Sequence, residues 1–136
     1  FSPDGRWVAY MSNDSGGYEV WVAPFPAFDR RRQVSSHGGG QVMWRSDMRE
    51  LFYLSPAGEM MSVAITPGSG AKGDLEFTAP TRLFQSPLPR PNLTVDLYSV
   101  TPDGKRFLFI QPQTDAAANT PAITVVLNGL SGIGNK

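Results

Sequence analysis

The chain has 136 residues, 40% of them hydrophobic, and 12 Lys and Arg against 12 Asp and Glu for a formal net charge of +0. This is one domain or a piece of one, with enough apolar material for a core, and its balanced charge gives no electrostatic reason to expect a nucleic-acid partner. Cysteine is absent, which excludes disulfides and thiolate metal sites, and neither a membrane-span-length apolar run nor a signal-peptide pattern is present, so the chain as given is expected neither to cross a membrane nor to direct its own export.

Fourteen glycines and 12 prolines leave little room for long helices, and the pattern along the chain predicts an all-β class. Ser2-Pro3-Asp4-Gly5 is turn chemistry: proline presets φ, aspartate caps, and glycine takes the left-handed conformation. Residues 6–11 then carry apolar side chains on both faces, a strand that needs cover twice. Asn13 to Gly17 break the pattern, and residues 18–25 form a second strand, making a meander. Residues 31–35 read as a short third strand, and the Arg30-Arg31-Arg32 run as a solvated loop or edge guard. Residues 36–40, with His37 among glycines, read as a flexible connection.

A new unit starts at residues 41–45. Its turn, Arg45-Ser46-Asp47-Met48, lacks the proline and glycine, so Met48 is expected to strain or reshape it. Residues 50–54 supply a second double-faced strand, residues 55–58 turn, residues 59–66 form the next strand, and after a loop at 67–74 residues 81–85 form an outer strand. A proline-rich linker at 87–91 leads to a strand candidate at 93–100. Thr101-Pro102-Asp103-Gly104-Lys105 restates the opening turn, followed by strands at 106–110 and 122–127 around a polar loop at 111–121. Residues 129–136 read as a frayed tail.

The turn aspartates Asp4, Asp47 and Asp103 stand 43 and 56 residues apart, and a repeat of about 40 to 45 residues, lengthened by loops in the second interval, is the period of propeller blades. The turns Phe1-Ser2-Pro3-Asp4-Gly5-Arg6 and Thr101-Pro102-Asp103-Gly104-Lys105-Arg106, with Glu50-Leu51-Phe52-Tyr53-Leu54-Ser55-Pro56 between them, resemble the PD40 repeat of TolB-type, WD40-like bacterial propellers. Pro121-Ala122-Ile123-Thr124-Val125-Val126-Leu127-Asn128 is similar to the C-terminal end of propellers that follow a bacterial serine/threonine kinase domain. The resemblance implies about three blades built as antiparallel four-stranded meanders: 1–36 lacking its inner strand, 37–86 complete, and 92–128 lacking its outer strand. A ring of about three blades cannot close, since propellers take about 4 to 8.

The terminal blades are therefore expected to expose assembly faces built from Trp7, Trp21, Phe107 and Val125, and to pair two-fold into roughly six blades. The alternative is a C-terminal piece of a longer parent. Asp4, Gly5, Asp47, Asp103 and Gly104 are read as turn- and repeat-defining residues, each aspartate capping its own turn.

No reaction centre is legible. There is no HRD, DFG or glycine-rich ATP loop, and Gly129-Leu130-Ser131-Gly132 fails the nucleophile-elbow pattern. The 68–73 segment lacks the order of a phosphate loop, the lone His37 lacks co-ligands for a metal, and the sequons at Asn13 and Asn92 read as turn chemistry in a bacterial-looking chain. The expectation is a non-catalytic scaffold without cofactor that binds itself and a protein or small ligand. The competing readings are the sensor or gate end of a kinase- or peptidase-linked propeller whose catalytic domain lies elsewhere, and a fragment with no role at this length.

Overall fold

A computed structural model describes residues 1–68, 73–88, 95–111 and, for the backbone, 123–127. The expectations for the tail, and for parts of the 67–74, 87–91 and 111–121 connections, lie outside these residues. Among them there is no helix, and the strands are antiparallel.

The first sheet has the order β1-β2-β3, from β1 (Trp7–Ser12), β2 (Glu19–Pro24) and β3 (Arg32–Gln33). The middle sheet runs β4 (Gly40–Trp44), β5 (Glu50–Leu54), β6 (Glu59–Pro67) and β7 (Leu75–Phe77), with β8 (Thr81–Gln85) also on β6. The third sheet comprises β9 (Tyr98–Val100), β10 (Arg106–Ile110) and β11 (Ile123–Leu127), with β10 in the centre.

The middle sheet thus has five strands where a four-stranded meander is expected from the sequence. The extra one is β7. It fits because β6 is nine residues long, so one edge pairs with β7 along Ile65 to Pro67 and with β8 along Glu59 to Ser62.

The middle sheet is covered on both faces, as the double-faced pattern of β5 requires. Leu51, Tyr53, Val63 and Ile65 pack with Trp7, Val20, Val22 and Val34 of the first sheet and the segment after it. From the opposite face, Phe52, Leu54 and Met60 pack with Tyr98, Phe107 and Phe109 of the third sheet and with Leu88. Alternation along β5 therefore sends successive side chains into two different cores. Strand β10, packed on one face only, alternates cleanly between exposed and buried.

Polar contacts pin the layers. The Tyr98 hydroxyl donates to the Phe52 carbonyl at 3.0 Å, Ser46 Oγ to the Pro102 carbonyl at 2.7 Å, and the Leu97 N–H to Gln41 Oε1 at 2.8 Å. Gln41, at φ 52, lies where the β4–β5 register shifts, a bulge that re-aims its side chain towards the third sheet. On the other side, Arg32 reaches the Leu75 carbonyl at 2.8 Å and Asp74 at 3.0 Å. The 36–40 connection, read from its glycines as flexible, is held at two successive residues: the Gly38 N–H donates to Glu19 at 2.9 Å and the Gly39 N–H to the Tyr18 carbonyl at 2.8 Å. A Cβ on Gly39 would sit 2.7 Å from the Tyr53 ring, so this glycine permits close approach rather than slack.

Candidate interaction surfaces

Three equivalent turns set the register of the three sheets. Gly5, Met48 and Gly104 donate their N–H to the carbonyls of Ser2, Arg45 and Thr101 at 2.9, 3.0 and 2.8 Å. All three are left-handed, with φ of 70, 61 and 73, the pattern of a type I turn followed by a left-handed residue. Met48 takes this conformation without being glycine, the strain expected from the sequence, and its side chain packs against the first core.

In each turn the aspartate accepts the backbone N–H two residues on: Asp4 from Arg6 at 3.1 Å, Asp47 from Arg49 at 3.1 Å, Asp103 from Lys105 at 3.0 Å. Burial works against the charge of Asp4, but hydrogen bonds from Ser2 and Arg6 outweigh it and hold its pKa below the ordinary value. At Asp103 the Thr101 hydroxyl, then the Lys105 N–H, lower it. These carboxylates are each engaged within their own turn.

Because the turns superpose by sequence offset, so do the strands that follow. Val8 and Tyr10 of β1 hold the offsets of Leu51 and Tyr53 in β5 and of Phe107 and Phe109 in β10. In the second and third sheets this face packs on the preceding sheet. Ala9 and Met11 hold the offsets of Phe52 and Leu54, which face the following sheet, and of Leu108 and Ile110.

This register corrects the face assignment made from sequence. Trp7 is 6% exposed and Phe107 2%. Both lie inside the chain: Trp7 on the side of β1 that meets the middle sheet, Phe107 on the side of β10 that does. Phe107 packs edge-on to Phe52 and Phe84, with ring centroids 5.1 and 5.2 Å away. Trp21 does lie on the outer face of the first sheet, paired across the strands with Tyr10. Val125 stands opposite Leu108 in the β10–β11 register.

The outer face of the first sheet carries more aromatic side chains than Trp21, the one expected there from the sequence. Tyr10 meets Phe28 at 6.3 Å, Phe28 meets Phe25 at 6.1 Å, and Phe25 meets Phe1 at 4.9 Å. The Arg31 guanidinium lies 4.8 Å above the Trp21 ring and is tied to Asp14 at 2.5 Å, so part of the arginine run clamps this face. The outer face of the third sheet carries Leu108 and Ile110, 40% and 62% exposed. The signal for both faces was in the sequence: counting each strand from its turn aspartate separates inward from outward positions.

Other polar groups are absorbed by the fold. Ser35 bridges the Glu19 carboxylate and the Val20 N–H, and Ser62 bonds Glu50, which also pairs with Arg45 at 3.2 Å. Burial, then the charge of Glu19, push the Tyr53 hydroxyl up to about 12. His37 is exposed and contacts only Ser36 Oγ, at 3.1 Å, among the described hydrogen bonds. A cleft of about 450 Å³ between the first and third turns is lined by Phe1, Pro3, Val42, Trp44, Val100 and Pro102 among others, none of them with a titratable side chain. Among the described residues no group of three or more His, Asp or Glu could hold a metal ion. Compared with known proteins, the chain matches no family model and no curated sequence.

Proposed function

We propose that the chain is a non-catalytic interaction scaffold of β-propeller type, its three sheets acting as PD40-like blades and its outer faces covered by sheets of a second copy. The observation that carries this reading is the offset rule. The Val8 and Tyr10 face is the repeat equivalent of two faces that are buried against a preceding sheet, and the Leu108 and Ile110 face is the equivalent of the Phe52 and Leu54 face, buried against a following one. Stacking the third sheet of one copy on the first sheet of another continues the same packing. Such a contact is heterologous, head to tail, and two copies suffice if the rotation closes. The assembled face of loops and turns would then present a protein or small ligand with a surface built from several sheets.

Light scattering after size-exclusion chromatography, across a dilution series, tests this. A mass of two chains that falls to one only on dilution supports it. A folded monomer at every concentration contradicts it.

A further inference from the structure

The features that set the middle sheet apart from its neighbours meet at one cleft. Met48 stands where the other two turns carry Gly5 and Gly104, and β7 is the strand beyond a four-stranded meander. Between them lies a cleft of about 460 Å³, lined by Asp47, Met48 and Arg49 from the turn and by Ile65, Pro67 and Leu75 from β6 and β7. Pro67 pairs directly opposite Leu75 and Ile65 is two residues away, so the three share one sheet face. The Ile65 N–H donates to the Arg49 carbonyl at 2.8 Å and ties the turn to that face. All of the lining belongs to the middle sheet and its turn, so the site does not depend on the stacking of copies.

One charge at this cleft lacks the partner that its repeat counterpart has. In the first turn Asp4 takes the Arg6 N–H on Oδ1 at 3.1 Å and Arg6 Nε on Oδ2 at 2.5 Å. Arg49 holds the offset of Arg6, and its N–H likewise goes to Asp47 Oδ1, at 3.1 Å. Asp47 Oδ2, however, is taken by Arg45 Nη2 at 3.0 Å, a contact that Ser2, at the offset of Arg45, cannot make in the first turn. Arg45 is itself held by Glu50 at 3.2 Å. The exposed Arg49 side chain is left at the cleft with no hydrogen bond or ion pair among the described residues.

From this we infer that the cleft binds a small monocarboxylate with an aliphatic body, its carboxylate on Arg49. The first turn shows what Arg49 lacks, since the equivalent arginine there holds a carboxylate, and the planar guanidinium matches both oxygens of such a group. Met48, Ile65, Pro67 and Leu75 supply apolar surface for the aliphatic body, in a volume within the range of small-ligand sites. Met48 is held there by its left-handed backbone, φ 61; a glycine, as in the other turns, would leave the cleft without that wall. Asp47 is engaged at both oxygens and does not compete for Arg49, but its charge beside the site disfavours a ligand with a second anionic group.

Hexanoate and hexan-1-ol are the probes, titrated at constant ionic strength into the full chain, and methyl NMR at Met48 and Ile65 reads binding. Hexanoate should give saturable shifts with a dissociation constant of about millimolar order, about tenfold or more tighter than hexan-1-ol. Arg49→Gln should remove that preference, weakening hexanoate about tenfold and leaving hexan-1-ol within about twofold. Lys105→Gln removes a charge at the same offset of the third turn and should keep the preference. Arg49 and Lys105 are both exposed, so neither variant disturbs the fold. Absence of saturable shifts by about 50 mM hexanoate, a preference for hexanoate that survives Arg49→Gln, or an equal loss in Lys105→Gln overturns the inference.

Discussion

Met48 is where the repeat is most strained. A left-handed residue with a Cβ costs about 1–2 kcal/mol relative to glycine, and the Met48 side chain recovers part of that by covering the first core. Met48→Ala keeps the strain and loses the cover, whereas Met48→Gly loses both. The usual order should therefore invert: Met48→Gly within about 1 kcal/mol of wild type, and Met48→Ala less stable than Met48→Gly by about 1 kcal/mol, in urea denaturation. A stabler Met48→Ala would mean that the backbone there is not strained.

Two buried tyrosines give a pH dependence. Tyr53 is held up at about 12 by burial and Glu19, and burial together with Asp96 raises Tyr98 well above its ordinary value. Raised folded-state values mean that the unfolded chain releases these protons first. Their contribution to stability is intact below about pH 10 and lost as pH rises towards about 12. The melting temperature should fall across that window, and Tyr53→Phe should flatten the fall. A slope unchanged by the substitution would contradict the assignment.

At the scale of elements, the inward and outward sides of β10 separate sharply. Phe107→Ala empties a site bounded by Phe52 and Phe84 and should cost about 3–5 kcal/mol. Leu108→Ala, one residue on and outward, should cost less than about 1 kcal/mol at concentrations where copies are separate. Comparable costs would place both residues on one face.

Nearly every strand was legible from the sequence because turn residues punctuate it: Asp4, Asp103 and Gly104 fix where hairpins turn, and β5 and β10 follow with unbroken apolar runs. β7 was not, since three residues on the far half of a long β6 carry no period of their own. The sides of the strands were also misread at Trp7 and Phe107. Large aromatic residues on terminal sheets suggested exposure, whereas the offset from each turn puts them against the middle sheet. Trp21 on the outer face was legible, but the rest of the aromatic row was not, because β2 ends at Pro24 and only the folding back of the following residues brings Phe28 to Tyr10 and Phe25 to Phe28.

For the whole molecule, the proposed stacking makes the two outer faces partners of each other, not of themselves. Mixing two variants tests it most directly. Tyr10→Lys spoils the outer face of the first sheet and Ile110→Glu that of the third, and each alone should give one-chain masses by light scattering. Mixed in equal amounts, they leave one head-to-tail contact between wild-type faces and place the new lysine opposite the new glutamate in the other. Recovery of two-chain mass only in the mixture is the predicted result. Single variants that keep wild-type mass, or a mixture that stays monomeric, would contradict head-to-tail stacking.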